Sequence, residues 1–475
     1  MTGKIYGNFI GGKWWEANET FPVYHKFTNE VIARVAKASR EEVGAAVEHA
    51  VSAVRTKALA PYERYEILMK SAEWFRRQKE EIASTIVQEC GKVLKDARQE
   101  VDRCIQTFIA SAEEAKRIGG SEIPIQGQPG NNSKLAFTIR VPVGVICAIT
   151  PFNFPLNLVA HKVAPAIAAG NAVVLKPAGY TPLSSFRMAE ILAEAGLPDG
   201  YLNIVNGSGQ EIGKYLLEDK RINMYTFTGS PSVGKQIKNS TGIRKVTLEL
   251  GNNSPNIVHK DAPDLEKAVR LCVSRGFTNN GQACISVQRI YVHRDIYDEF
   301  VAKAVTFAGG LAVGDPEQEE TDVGPMIAEK EAARVEEWIT EAVSQGARVV
   351  FGGKRTGALL QPTILTDVTP EMKVVCQEVF APLVSIVPYD SIDEAIEAAN
   401  DSDFGLQAGL FTSNLQLALS AAKRLEFGGV IINDSSSFRA DIMPYGGVKD
   451  SGIGREGPSY AVQEMTEERI VVIEL

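Results

Sequence analysis

Val143-Gly144-Val145-Ile146-Cys147-Ala148-Ile149-Thr150-Pro151-Phe152-Asn153-Phe154-Pro155 is the stretch whose reading decides the fold. Val143 to Ile149 is apolar without alternation, as a strand buried on both faces would be. The Pro/Asn stretch behind it breaks the strand and makes a loop. A helix through Val163-Ala164-Pro165-Ala166 follows, then a short strand from Asn171 to Leu175 that ends at Lys176-Pro177. Leu202 to Val205 and Met224 to Phe227 repeat the pattern, each ahead of a Gly-rich turn. Strands alternating with helices predict a doubly wound, mostly parallel α/β sheet.

Upstream, the chain reads as mostly helical. Within Tyr62 to Gln78, Leu68, Ala72 and Phe75 fall at i, i+4 and i+7 and form one apolar stripe. Polar, Gly-rich residues 119–133 break that pattern. Downstream, the alternation restarts at Leu250-Gly251-Asn252. Strands are expected at 289–293, 348–351, 384–388, 407–411 and 428–432, and helices at 295–307, 327–345, 391–400 and 414–425. Residues 1–118 and 143–250 therefore form one α/β domain and 251–450 a second, with 119–142 and 451–475 left over as an arm. The end, Glu467 to Leu475, is strand-like and has no hairpin partner. It is expected to seek a sheet edge on another subunit.

The 475 residues are 44% hydrophobic, enough for large cores, and carry a formal net charge of −9. Lysine and arginine are spread evenly, so no clustered basic face marks a nucleic-acid partner. Met1-Thr2-Gly3-Lys4-Ile5-Tyr6 has no apolar core of a secretory signal. No apolar run approaches the ~20 residues of a membrane span. Six cysteines without paired spacing fit a reducing cytoplasm. The five histidines are scattered, and no metal-ligand spacing occurs.

Gly229-Ser230-Pro231-Ser232-Val233-Gly234-Lys235 follows a strand and opens a helix. It nearly spells the phosphate loop of nucleotide hydrolases, but Gln236 stands where a magnesium-binding hydroxyl belongs. The free N–H groups of a helix start still favour a phosphate. Gly207-Ser208-Gly209 with Gly213 is a weaker echo. Two such turns in one sheet point to a dinucleotide.

Cys284 lies in Asn279-Asn280-Gly281-Gln282-Ala283-Cys284, among small polar neighbours, and reads as a thiol on an exposed loop. Such a cysteine is either a nucleophile or a small packing residue. Glu249 ends Lys245-Val246-Thr247-Leu248-Glu249, where a carboxylate is costly unless it is paired, neutralised or working. Asn153 follows a buried strand, where open sheets place chemistry, and its amide could serve an oxyanion or merely a turn.

Seven segments now occur in a family's order: Pro151-Phe152-Asn153-Phe154-Pro155, Lys176-Pro177-Ala178, Phe227-Thr228-Gly229-Ser230, Leu248-Glu249-Leu250-Gly251, Gly281-Gln282-Ala283-Cys284, Glu378-Val379-Phe380-Ala381-Pro382 and Pro444-Tyr445-Gly446-Gly447-Val448-Lys449. Over essentially its whole length the chain resembles the non-phosphorylating NAD(P)-dependent aldehyde dehydrogenases. The resemblance implies a Rossmann-like cofactor domain, a second α/β catalytic domain and a small β-strand oligomerisation arm, in a homodimer or homotetramer. It implies Cys284 as nucleophile, Glu249 as general base, and Asn153 with the Cys284 N–H as oxyanion hole. Lys176 would hold the adenosine ribose, Ser230 the pyrophosphate and Glu378 the nicotinamide ribose, with Phe380 beside the ring. Ile149, Thr150, Gly179, Gly209, Phe227, Gly229, Val233 and Leu250 would complete the cofactor site. A catalytically silent relative is opposed by the presence of Cys284, Glu249 and Asn153, and a coenzyme A-acylating one by Glu249.

Two positions depart from the family pattern. Gly179 replaces the glutamate that binds the adenosine ribose in NAD-preferring members, so NADP should be tolerated or preferred. Asn252 replaces a glycine and is expected to keep the loop by adopting a left-handed conformation. Phe154, His161 and the stretch Phe438-Arg439-Ala440-Asp441 resemble the branch acting on lactaldehyde, sulfolactaldehyde, phosphonoacetaldehyde and glyceraldehyde 3-phosphate. Succinic semialdehyde enzymes carry arginine at the His161 position. Ala283 stands where the glyceraldehyde-phosphate enzymes place arginine. Arg103, His161 and Arg439 suggest a small anionic group on the substrate. The alternative is a solvated helix residue at Arg103 and a loop salt bridge at Arg439.

Overall fold

The computed structural model describes residues 3–16 and 18–475. Met1 and Thr2, part of the stretch read for a signal, lie outside the described residues. The first sheet is built on five parallel strands: β1 (Val145–Ile149), β2 (Ala172–Lys176), β3 (Leu202–Ile204), β4 (Met224–Thr228) and β5 (Lys245–Glu249). Every residue of β2, β3 and β4 is buried, which is why the sequence shows continuous apolar runs there. The order β5-β4-β1-β2-β3 places a switch in winding direction between β1 and β4. Such a switch opens a crevice at the carboxyl ends of the two strands. Antiparallel Gly452–Ile453 closes one edge, and Asn8–Ile10 with Lys13–Trp15 closes the other.

Four helices precede this sheet: α1 (Arg40–Thr56), α2 (Pro61–Arg77), α3 (Lys79–Cys90) and α4 (Leu94–Ala115). Ser39 starts α1 through a reciprocal cap with Glu42. Helix α2 buries Leu68, Ala72 and Phe75 as the stripe predicts. Ahead of α1 the helical expectation fails, because the described residues between 5 and 36 form short strands joined by turns. None exceeds six residues, and turns at Gly11-Gly12 and Asn29 separate them, so no period develops. Helices α5 (Asn157–Ala168), α6 (Leu183–Glu194), α7 (Gly209–Glu218) and α8 (Pro231–Thr241) each follow one of the first four strands. Helix α5 is buried all round.

The second sheet holds β6 (Pro255–Val258), β7 (Arg289–His293), β8 (Thr363–Thr366), β9 (Leu383–Tyr389), β10 (Gln407–Phe411) and β11 (Gly429–Ile432). All six are parallel, in the order β8-β9-β7-β6-β10-β11, with antiparallel Arg348–Phe351 on the edge. Helices α9 (Leu265–Phe277), α10 (Arg294–Gly309) and α11 (Glu329–Ser344) cover it.

The C-terminal strand corrects an expectation. Thr466–Glu474 is no orphan: it pairs antiparallel with Lys134–Pro142 of its own chain, from Thr466 opposite Pro142 to Glu474 opposite Lys134. Its partner lies more than 300 residues upstream, as the Thr138–Glu468 hydrogen bond with its separation of 330 shows, so no hairpin signal exists. The arm is also shorter than 451–475. Gly452–Ile453 extends the first sheet, and Ala461, Val462 and Met465 enter that domain's core. Among the described residues, no helix is long and apolar enough to cross a membrane.

Candidate active site

Cys284 sits between the two sheets, on the loop that leads from α9 into β7. Side-chain amides hold this loop. Asn279 donates to the carbonyls of Asn153 and Gln282, and Asn280 to those of Gly91 and Pro325. The Gln282 side chain accepts from the Ile327 N–H. Asn279, Asn280 and Gly281 all take positive φ, and a Cβ on Gly281 would lie 2.0 Å from the Ala381 carbonyl oxygen. Only glycine fits there. Clasped in this way, Cys284 is half-buried and not on an exposed loop as its neighbours suggest.

A cavity of about 730 Å³ opens at the crevice between β1 and β4 and reaches Cys284 and Asn153. Ile149 and Thr150 line it from the end of β1, and Phe227, Gly229, Ser230 and Val233 from the β4–α8 turn. Lys176, Gly209, Leu250, Glu378 and Phe380 complete it. Gly179 is the exception: its neighbours Ala178 and Tyr180 line the cavity, and a Cβ on Gly179 would meet only open space. The two Gly-rich turns differ. Ser208 caps α7 by accepting from the Glu211 N–H, whereas Ser230 makes no such bond, so the first N–H groups of α8 stay free. Lys235 pairs with Asp450, as befits the failed phosphate-loop motif.

The cavity fits a dinucleotide on several counts. Added Cβ atoms would lie 2.5 Å from the Phe227 ring at Gly229 and 2.8 Å from Glu378 Oε2 at Gly251, so backbone forms the cradle. Lys176 is buried without an ion-pair partner among the described residues, and burial lowers its pKa to about 8. Glu378 accepts from the Asn252 N–H at 2.9 Å, and burial raises its carboxyl to about 7. Asn252 is not among the positive-φ residues. The left-handed conformation expected of it is not used: the loop is held by that N–H and by an Asn252–Ser254 side-chain bond.

Glu249 closes β5, is 2% exposed, and has both carboxylate oxygens without a partner among the described residues. Its neighbours Leu250 and Gly251 line the cavity. Burial, and then the Glu456 carboxylate, push its carboxyl well above the usual range. Glu456 is held the other way. Burial alone would raise it, but Lys162 at 2.8 Å and Arg439 at 3.1 Å keep it ionised, at about 2. Asn153 donates one Nδ2 hydrogen to the Gln282 carbonyl at 2.8 Å, leaving the second free. The Cys284 N–H likewise has no partner among the described residues.

On the far side of Cys284 lies a second cavity, of about 260 Å³, lined by Arg103, Phe154, Ala283 and Arg439. His161 does not line it. Helix α5 carries that imidazole inward, where Nε2 lies 2.9 Å from Asp441 Oδ1. Arg103 grips the same carboxylate in a fork at 2.8 and 3.1 Å. Burial would raise Asp441, yet these hydrogen bonds hold it well below the usual carboxylate range. Arg439 is tied to Glu456 and lies 3.6 Å above the Tyr445 ring, as a loop salt bridge would. The free cation is Arg275, at the end of α9. It lines this cavity and makes no ion pair or side-chain hydrogen bond among the described residues, though Asp96 feels its charge.

Sequence reasoning missed Arg275, Lys162 and Glu456. A lysine in the apolar run of α5 was a usable signal. Arg275 stands in the last turn of α9, where a basic residue is ordinary, so nothing in the sequence marks it.

Comparison with known proteins agrees with this architecture. The family model described as "Aldehyde dehydrogenase family" matches residues 14–471. A 3-sulfolactaldehyde dehydrogenase from Priestia aryabhattai is 54% identical over 472 residues, 99% of this chain and 98% of that protein. Aldehyde dehydrogenase 21 from Physcomitrella patens, solved with the reaction product succinate, superimposes with a TM-score of 0.97 at 41% identity, covering 100% of this chain and 99% of that one. The glyceraldehyde-3-phosphate dehydrogenase of Methanocaldococcus jannaschii complexed with NADP gives 0.92 at 41% identity, covering 96% and 100%. The chain belongs to the aldehyde dehydrogenase family, as an NAD(P)-dependent enzyme.

Proposed function

We propose that the enzyme oxidises a small anionic aldehyde of the 3-sulfolactaldehyde type to its carboxylic acid. The observation that carries this reading is the second cavity, lined by Arg103, Arg275 and Arg439 together with Asp96 and Glu100, where Glu100 is paired with Lys92 and Arg275 makes no ion pair among the described residues. A planar guanidinium suits a sulfonate, phosphonate or carboxylate. Identity of 54% to a 3-sulfolactaldehyde dehydrogenase supports the same substrate class. Succinic semialdehyde is the second reading, favoured by the succinate product bound to the Physcomitrella enzyme. Ala283 leaves glyceraldehyde 3-phosphate less favoured.

Cys284 Sγ adds to the aldehyde carbon. The free N–H of Asn153 and that of Cys284 are the donors available to the oxyanion. A bound NAD(P), which Lys176, Ser230, Glu378 and Phe380 would hold, would supply the hydride acceptor, so that Cys284 would carry the acyl group as a thioester. Glu249 then takes the proton of the water that hydrolyses it. Lys176 and the open space at Gly179 support acceptance of NADP, since no carboxylate stands there to repel a 2′-phosphate. The reaction fits a cytoplasmic enzyme, and the unpaired outer edge of Thr466–Glu474 suits a homodimer or homotetramer.

The test is a matrix of kcat/KM values. It crosses 3-sulfolactaldehyde, lactaldehyde, phosphonoacetaldehyde, glyceraldehyde 3-phosphate and succinic semialdehyde with NAD and NADP, with and without coenzyme A. 3-Sulfolactaldehyde should lead, without coenzyme A. Reduced cofactor forming only in the presence of coenzyme A would sink the hydrolytic assignment.

A further inference from the structure

A thiol attacks as its thiolate, and reactive cysteines usually borrow a neighbouring imidazole or lysine for this. Cys284 has neither. His161 is spent on Asp441, and Lys162 on Glu456. The charged and titratable groups that act on the sulfur are Glu249 from β5, Glu378 from the loop before β9, and Arg439 and Tyr445 from the loop after β11. Burial pushes the thiol up to about 11, and the two carboxylates push in the same direction. Only Tyr445 and Arg439 oppose them.

The Tyr445 hydroxyl lies 2.8 Å from Cys284 Sγ. Its ring is 2% exposed and packs with Ile285 and Leu406. Its backbone is pinned to Glu456 in both directions, at 3.1 and 2.6 Å. Arg439, itself anchored by Glu456, lies 3.6 Å from the ring centroid. A cation over the ring is attracted to its π face and draws electron density from the phenol, which makes the O–H a stronger donor. Burial raises the phenol's own pKa well above the usual value, so between the two groups it is the hydroxyl that keeps its proton. The next residue, Gly446, passes so close to Glu249 that a Cβ would lie 2.9 Å from Oε1. One turn thus touches both reacting groups.

We propose that Tyr445 is the hydrogen-bond donor that stabilises and aims the Cys284 thiolate, with Arg439 polarising its ring. Tyr445→Phe removes only the oxygen. The measurement is the rate of Cys284 alkylation by iodoacetamide against pH, read by mass spectrometry of the Cys284 peptide because the exposed Cys376 would react as well. In Tyr445→Phe the apparent thiol pKa should rise by about one unit, an alkylation rate about tenfold lower at neutral pH, or ~1.4 kcal/mol. The kcat/KM should fall in parallel, with KM for the aldehyde within about twofold. Replacing Tyr445 with 3-fluorotyrosine keeps the shape and makes the phenol a stronger donor, so the thiol pKa should move down. If the phenylalanine variant does not fold, the fluorotyrosine protein decides alone. Profiles that overlay the wild type in the folded variants would overturn the proposal.

Discussion

On one face of Cys284 the cavity is made of strand ends, glycine turns and a helix start. On the other it is made of charged side chains bound to one another. The cofactor face relies on backbone, and its lysine and glutamate lack ion-pair partners among the described residues. The substrate face is a network in which Asp441 joins Arg103 to His161, and Glu456 joins Arg439 to Lys162. On the proposed reading, the cofactor is held by rigid geometry and the substrate by a charge that the network, among the described residues, leaves unpaired.

Cys284 lies between the two faces and is the nucleophile of the proposed reaction, so its loss should have the largest effect. Cys284→Ala should lower turnover by at least about four orders of magnitude. Glu249→Gln should instead show one burst of reduced cofactor per site and then stall, as thioester accumulates. Stopped-flow absorbance separates the two. Asn153→Ala should lower kcat by about 10²–10³-fold, because the second Nδ2 hydrogen is free for the oxyanion. Retained kcat would leave Asn153 as a clamp on the Gln282 carbonyl.

The cofactor face is the next to probe. Gly179→Glu places a carboxylate in open space beside the cavity and should cost NADP about 10–100-fold in kcat/KM while sparing NAD. Equal losses for both would show a packing defect.

The pH dependence is the gentlest probe. A base works when deprotonated, and burial raises Glu249, so thioester hydrolysis is slow below that raised pKa and accelerates as pH climbs through it. Single-turnover deacylation should rise by at most about tenfold per pH unit on this limb. Glu249→Gln should abolish the limb and leave the separate rise of Cys284 ionisation in the acylation step.

The contrast between the faces also explains what was legible in the sequence. Buried parallel strands write continuous apolar runs, and their ends write Pro, Asn and Gly, so β1 to β4 and the Gly-rich turns are legible locally, whereas the roles of Lys176 and Glu378 come only from the resemblance. The amino-terminal strands were too short to show a period. The substrate network was hidden because its links are long-range: His161 and Asp441 are 280 residues apart, and Lys162 and Glu456 are 294 apart. Arginines could be seen in the sequence, but not which of them already had partners. The sequence therefore suggests an anion site at Arg103, His161 and Arg439 and leaves Arg275 unmarked.

The most direct test of the account compares an anionic aldehyde with a neutral one in wild type and in Arg275→Gln. Charge-assisted hydrogen bonds contribute about 1.5–3 kcal/mol. The wild type should therefore prefer 3-sulfolactaldehyde over lactaldehyde in kcat/KM. Arg275→Gln should lose about 10–100-fold for the sulfonate and stay within about twofold for lactaldehyde. A wild type with no preference would contradict the anionic assignment itself, and an intact preference in Arg275→Gln would contradict the part given to Arg275.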